Sequence, residues 1–212
     1  MAIDIATLWD FRQPALSEQR FGAALAGADA DDALILQTRI ARTHALRRDF
    51  ARARQILQDI EPQTRGAGAE VRVRHALEWG RILASAAHPA QTQTPEIQAL
   101  AQAAYLRAVE RAQSHRLDGL AIDALHMLAF VDTAPGEPLK WGQDALAVAL
   151  ASSQPAAKQW EASLRNNLGH ALHQLGRDGE ARVHFRRAVT LRGDAVRARA
   201  YALRKTAASG AP

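Results

Sequence analysis

The sequence contains no cysteine, few aromatic residues and few lysines, and each absence narrows what the protein can be. Without cysteine the chain forms no disulfide and no cysteine-ligated metal site. Aromatic residues make up only 5% of the chain, whereas Ala, Leu, Arg and Gln abound, which favours helices over a β-sheet. The longest apolar run, Ala145 to Ala151, is far shorter than the ~20 residues of a membrane span. We therefore expect an all-α protein that does not cross a membrane. The start of the chain lacks a basic and then apolar leader, which predicts a cytoplasmic location.

The positive charge comes almost entirely from arginine. The formal net charge is +5, and of the 27 basic residues only Lys140, Lys158 and Lys205 are lysines. A basic protein can bind nucleic acid. Arginine on helices, however, commonly forms a solvated face while its stem covers apolar surface. The positive charge alone is therefore weak evidence for nucleic-acid binding. Contact between the basic C-terminal helices and phosphates, in a regulatory or nucleic-acid-associated protein, remains the alternative.

Two antiparallel helices are predicted between Trp160 and Arg192. Apolar residues recur there at three- and four-residue steps, the period of one face of a helix. The first stripe is Leu164, Leu168, Ala171, Leu172 and Leu175, and the second is Ala181, Phe185, Ala188 and Leu191. Gly176 lies between them, where a helix ends in a left-handed residue. Gly169 and Ala181 lack bulk where the two backbones approach, so we expect Phe185 to fill that contact.

This pattern resembles the tetratricopeptide repeat (TPR), whose second helix carries Ala, an aromatic residue and Ala. The matching residues are Leu168, Gly169, Leu172, Ala181, Phe185 and Ala188. Arg165 and Gly193 depart from the pattern, because a large apolar residue and a closing proline are usual there. The resemblance implies a non-enzymatic α-solenoid that binds a protein or peptide partner and acts as a scaffold.

About four such helix pairs can be aligned along the chain. Their close-contact residues are Ala41, Gly80, Leu125 and Gly169, at spacings of 39, 45 and 44 residues. These exceed the ~34 residues of the standard repeat, so the chain resembles the longer-helix variety of TPR. The second helix of the pair that contains Gly80 carries the same Ala-aromatic-Ala spacing at Ala101, Tyr105 and Ala108.

The pairs divide the chain into three parts. We expect residues 1–28 to form an N-terminal segment with a capping helix that begins at Ser17. Residues 29–193 form the TPR-like solenoid, in which Pro62 ends one helix and Pro89 to Pro95 is a mobile loop. Residues 194–212 are expected to be a C-terminal capping helix and tail. That last helix could instead open an unfinished repeat and pair with another copy, which would give a homo-oligomer.

The sequence carries no enzymatic motif. It lacks G-x-S-x-G, H-E-x-x-H and a phosphate-binding loop. His170 and His173 form an H-x-x-H pair near His184, but His184 belongs to the second helix and should point elsewhere. We therefore expect neither a metal site nor a cofactor.

One set of residues is a candidate ligand site. The residue after each close-contact position should face the concave groove that the first helices line. These residues, which we call the ladder residues, are Arg42, Arg81, His126 and His170. We expect Asn166 and His173 to add hydrogen bonds at the C-terminal end of the groove.

The resemblance to TPR implies that such positions clamp a peptide, sometimes through its terminal carboxylate. The expected ligand is an acidic or carboxylate-terminated peptide. Its affinity should rise from pH 8 to pH 6 as the histidines gain charge. The alternative is that the ladder residues are ordinary solvated side chains.

Overall fold

The computed structural model describes the backbone of residues 4–209 and the side chains of residues 4–194. Every regular element in that part of the chain is helical, which confirms the all-α prediction. The helices are α1 (Ile5–Leu8), α2 (Pro14–Ala24), α3 (Ala30–Leu46), α4 (Phe50–Thr64), α5 (Ala69–Leu83), α6 (Pro95–Ser114), α7 (Asp118–Val131), α8 (Glu137–Ala151), α9 (Pro155–Lys158), α10 (Glu161–Gln174) and α11 (Asp178–Ser209). None of the described helices is long and apolar enough to cross a membrane.

Successive helices pack as hairpins that stack along the chain. α3 packs on α4, α5 on α6, α7 on α8, and α10 on α11. The first helices of neighbouring pairs also touch, α3 against α5 and α5 against α7, while α10 lies against α8. This is the predicted α-solenoid of four TPR-like pairs, with α2 packed on α3 at its N-terminal end. We call the side of α3, α5, α7 and α10 that carries the ladder residues the first-helix face.

Two glycines allow a first helix to approach its second helix closely. A Cβ atom placed on Gly169 would lie 2.6 Å from the Phe185 ring, and one on Gly80 would lie 2.6 Å from the Tyr105 ring. No side chain tolerates such a distance without movement of the ring. Ala181 and Ala101 are buried beside these contacts. The alignment of the pairs on small residues is therefore correct at both positions.

The core is divided between two clusters of buried side chains. The larger runs through the second, third and fourth pairs, and the smaller lies between α3, α4 and Ile82 of α5. Trp79 packs against both clusters. Because Trp79 belongs to α5, the second pair joins the first to the rest of the solenoid.

The turns confirm one prediction and show two positions that the sequence did not reveal. Gly176 has φ +72°, the left-handed conformation expected after α10. Arg48 and Arg116 adopt the same conformation after α3 and α6, with φ 65° and 55°. Arginine rarely takes this conformation, so its identity gave no signal.

Two predicted helix ends in the first half of the chain are wrong. Ser17 does not cap α2, which begins at Pro14. Ser17 is buried within the helix, and its Oγ accepts a hydrogen bond from Asp10 N at 2.7 Å. Pro62 does not end α4, which continues to Thr64. A proline in the last turn removes only one backbone hydrogen bond. The remaining bonds are enough for the helix to continue two residues beyond it.

The predicted boundary at Gly193 is also not a break in the structure. α11 runs continuously from Asp178 to Ser209, so residues 194–209 extend the second helix of the fourth pair. One glycine costs a helix about 1 kcal/mol and does not end it unless the backbone turns left-handed or a proline follows. The apolar face predicted for this segment, from Ala195 onward, lies outside the described side chains.

Candidate functional site

Five charged side chains from three successive first helices form an ion cluster on the first-helix face. They are Arg39, Arg42, Glu78, Arg81 and Asp123. Glu78 Oε1 accepts hydrogen bonds from Arg81 Nη1 at 2.7 Å and from Arg39 Nη1 at 3.3 Å. Arg81 Nη2 donates to Asp123 Oδ1, and Arg42 Nη1 lies 3.8 Å from Glu78 Oε2. The cluster therefore links α3, α5 and α7.

The ion cluster holds more positive than negative charge. Three guanidiniums face two carboxylates, and the Glu78 and Arg81 side chains are only 1% and 8% exposed. Burial lowers the pKa of Arg42, and the charge of Arg81 lowers it further. Burial also lowers the pKa of Arg39, against the attraction of Glu78. The cluster could therefore accept a further anion.

Two of the five side chains hold each other ionised. Burial alone would raise the pKa of Asp123, but Arg81, with smaller contributions from Arg39 and Arg42, outweighs it and the pKa is lowered. Burial alone would lower the pKa of Arg81, but Asp123 and Glu78 outweigh it and the pKa is raised. Arg81 is thus committed to two internal partners. Arg42, whose side chain is 25% exposed, is the more accessible cation.

Two adjoining cavities lie along the ladder residues. The first, of about 400 Å³, is lined by Arg42 and Arg81. The second, of about 390 Å³, is lined by His126 and His170. Phe130 is 64% exposed and lines both. The structure therefore brings the four ladder residues to one continuous stretch of the first-helix face.

The second cavity has apolar walls and a half-buried imidazole, that of His126. Its apolar lining is Ala129, Phe130, Pro138, Leu164, Leu168 and Ala171. Asn167 Nδ2 lies 3.3 Å from His126 Nδ1, and the Phe130 and Trp160 rings pack around that imidazole. Burial lowers the pKa of His126, Asp123 opposes this effect and Arg81 adds to it. At neutral pH this cavity is suited to an apolar side chain beside an uncharged polar group.

The other predicted site residues lie at the edge of this region. His170 is exposed, and its ring contacts Phe185 at 5.0 Å. Asn166 is half-buried and does not line the second cavity, whereas Asn167 does. His173 is exposed, and its Nδ1 lies 2.6 Å from Asp178 Oδ1. Among the described side chains there is no group of three His, Asp or Glu arranged to hold a metal ion.

Sequence reasoning missed Arg39, Glu78 and Asp123. Glu78 follows Arg39 by 39 positions, and Asp123 follows Arg81 by 42 positions. Both separations fall within the repeat spacings read from the sequence. Charges of opposite sign one repeat apart on successive first helices are therefore the signal that could have found them.

A third cavity lies where the N-terminal segment meets the first-helix face. Its volume is about 430 Å³, and Ile5 and Trp9 line it opposite Leu120 and Trp160. The Trp9 indole is fixed by stacking on Phe11 at 4.6 Å. The N-terminal segment thus borders the face that carries the ladder residues.

The fourth pair is where a known family is found. Residues 162–196 match the tetratricopeptide repeat family. The match covers α10 and the first part of α11, including the contact of Gly169 with Phe185. It confirms the resemblance to TPR that this stretch of sequence carries. A TPR indicates a protein-interaction module in general, and the family is typically non-enzymatic. No curated protein and no solved structure matches the chain.

Proposed function

We propose that the protein is a non-enzymatic interaction module whose first-helix face forms a concave groove for an acidic peptide or helix. The observation that carries the proposal is the excess positive charge of the ion cluster. Arginine presents a planar fork that matches a carboxylate. An acidic side chain or terminal carboxylate of the partner would supply the missing negative charge.

Arg42 is the residue we expect to bind that carboxylate. Arg81 is already bonded to Glu78 and Asp123, so its proposed part is to keep the cluster assembled. The second cavity lies next to Arg42's cavity and has apolar walls. A partner with a large apolar residue a few positions from its acidic group would fill both. The proposed ligand is therefore a short segment with one acidic and one apolar anchor.

Peptide-library selection followed by affinity measurement tests this proposal. We expect the selected peptides to be enriched in Asp or Glu next to Leu or Phe. Their affinity should fall about 10-fold in Arg42→Gln, the loss of one charge-assisted hydrogen bond. Arg54→Gln is the matched control, because Arg54 is exposed on α4 and makes no ion pair within the described residues. Enrichment of neutral or basic peptides, or equal affinity in Arg42→Gln, would contradict the proposal.

The dependence of binding on pH separates the two histidines. Because burial lowers the pKa of His126, that residue should add less charge between pH 8 and pH 6 than an imidazole with an ordinary pKa. Affinities of the wild type, His126→Ala and His170→Ala at pH 8 and pH 6 show whether either ladder histidine contributes a pH-dependent contact. A modest gain in affinity that is unchanged in both variants would assign the effect to a group outside the ladder.

Three further parts of the proposal concern the setting of the protein. We place it in the cytoplasm, which cell fractionation tests. Homo-oligomerisation through the terminal helix and binding of nucleic acid by the C-terminal basic surface stay predictions, because most of those side chains lie outside the described residues. Analytical sedimentation tests the proposed homo-oligomer. The salt dependence of affinity tests nucleic-acid binding, because phosphate contacts make affinity fall steeply with salt.

A further inference from the structure

Four arginines from three helices converge on a cavity away from the first-helix face. The cavity has a volume of about 440 Å³ and is lined by Arg65, Arg72, Arg107 and Arg111, together with His75 and Trp79. Arg65 caps the C-terminus of α4, Arg72 lies on α5, and the other two lie on α6. We call this the arginine cavity.

The arginine cavity and the ion cluster use different faces of the same helix. Arg72, His75 and Trp79 of α5 line the cavity, whereas Glu78 and Arg81 belong to the ion cluster. At 3.6 residues per turn the mean directions of these two sets differ by about 120°, so they lie on different faces of α5. A ligand in the arginine cavity would therefore not compete with a peptide on the first-helix face.

Within the described part of the chain, the four guanidiniums of the arginine cavity have no ion-pair partner. None of them makes an ion pair with another described side chain, although other arginines of the solenoid, including those of the ion cluster, do so. Glu61 is the one carboxylate among the lining residues, and Glu110 borders Arg107 and Arg111 in an adjoining recess. The cavity therefore carries a clear excess of positive charge.

Arg72 supplies a second, independent observation. Its Nε is enclosed by protein and has no hydrogen-bond partner among the described residues. Enclosed polar groups are nearly always hydrogen-bonded, so an exception calls for an explanation. An anion seated in the cavity would give this N–H an acceptor and would lower the repulsion among the arginines.

We propose that the arginine cavity binds a small anion that carries two or more linked phosphoryl groups. Guanidinium forks match phosphate oxygens in two-point geometry. Because the arginines come from three helices, they surround a ligand with several charged groups better than a single phosphate. A cavity of about 440 Å³ is in the size range of small-molecule sites. A nucleotide and an inorganic polyphosphate share this chemistry.

A nucleic-acid strand suits the arginine cavity less well. Proteins that bind strands present basic residues along an extended stripe or groove. Here the arginines converge on one cavity, Glu61 lines it, and Glu110 lies in an adjoining recess. The arrangement favours a compact ligand.

Calorimetric titration of the whole protein with tripolyphosphate, pyrophosphate and ADP, at constant ionic strength, tests the proposal. We expect saturable one-to-one binding that sulfate at the same ionic strength does not reproduce. Arg72→Gln and Arg111→Gln should each weaken binding about 10-fold, the loss of one charge-assisted contact. Arg72→Lys should also weaken it, because lysine keeps the charge but loses the fork. Arg54→Gln, which removes the same charge from α4 outside the cavity, should bind as the wild type does.

Three outcomes would overturn the proposal. The first is an affinity for tripolyphosphate in Arg72→Gln and Arg111→Gln that equals that of the wild type, with thermal melts that show both variants folded. The second is a response to sulfate as large as the response to tripolyphosphate. The third is binding of a single-stranded oligonucleotide through these arginines without binding of tripolyphosphate. Preference for ADP over tripolyphosphate would support a nucleotide, and the reverse an inorganic polyphosphate.

Discussion

Replacement of Arg81 by alanine should be among the most destabilising single changes in this solenoid. The Arg81 side chain is 8% exposed and bonds both Glu78 and Asp123, which are 1% and 15% exposed. The variant leaves two carboxylates with little access to water. Arg39 and Arg42 still face Glu78, but no described residue other than Arg81 pairs with Asp123.

The expected cost follows from what remains buried. Removing one partner of a buried ion pair costs about 3–5 kcal/mol. The partial exposure of Asp123 reduces its share, whereas the nearly complete burial of Glu78 does not. In a chain of this size, each kcal/mol lowers Tm by roughly 2–4 °C, so the expected loss is on the order of 6–20 °C.

Chemical denaturation of the wild type, Arg81→Ala and a surface control measures this cost. Arg177→Ala is the matched control, because Arg177 also pairs with a glutamate but both side chains are exposed. We expect no measurable change in that variant. A double variant, Arg81→Ala with Asp123→Ala, should recover part of the loss, since it removes one unpaired carboxylate.

The cost should also shrink at acidic pH. In the wild type the pKa of Asp123 is below its ordinary value, so this carboxylate stabilises the fold at neutral pH and stops doing so as pH falls through about 4 and below. In Arg81→Ala, burial is no longer opposed by Arg81 and the pKa of Asp123 should rise. Protonation then relieves the variant as pH falls, and the two stability curves should converge. A small loss at pH 7, or a loss independent of pH, would refute the proposed role of Arg81.

Three further predictions concern packing, accessibility and titration. Gly169→Ala should destabilise the fold by about 1–3 kcal/mol because its Cβ meets the Phe185 ring. Gly22→Ala, where nothing lies within 4 Å, should instead stabilise it slightly; unfolding midpoints that move together would show the helix contact to be wrong. Limited proteolysis with a broad-specificity protease should cut first within Pro89 to Pro95, where most residues are exposed. His126 has a lowered pKa, so its burial should reduce stability as pH falls below about 6.5, and His126→Asn should lose less over that interval, as pH-dependent melts can measure.

The helix pairs could be predicted because their signals are local. Gly169 and Phe185 lie within one hairpin, and so do Gly80 and Tyr105. Each pair of positions recurs at a fixed offset from an apolar stripe, which helical periodicity detects. The same reasoning failed at Leu175, which ends the predicted stripe but is exposed, because the helix already ends at Gln174.

The ion cluster could not be predicted in the same way. Periodicity marks apolar faces, and a charged residue outside the stripe is assigned to solvent by default. Glu78 and Asp123 are buried only because neighbouring first helices pack against each other at one particular register. The ladder residues could be identified because they adjoin close-contact positions within their own helix pair. Their counterions lie on the neighbouring first helix, so identifying them requires knowing how that helix is aligned.

The ion cluster also bears on how the solenoid comes apart. Repeat proteins gain stability from each unit and from each nearest-neighbour interface, so their units can open separately. Here Arg39, Glu78, Arg81 and Asp123 tie three successive pairs into one network of buried charge. Opening any one of those pairs would leave a charged side chain of a neighbouring pair without its partner. The three pairs should therefore unfold together. The fourth pair, α10 with α11, lies outside the network and is free to open first. The segment that matches a known repeat would then be the part of the molecule whose order is most readily lost and regained.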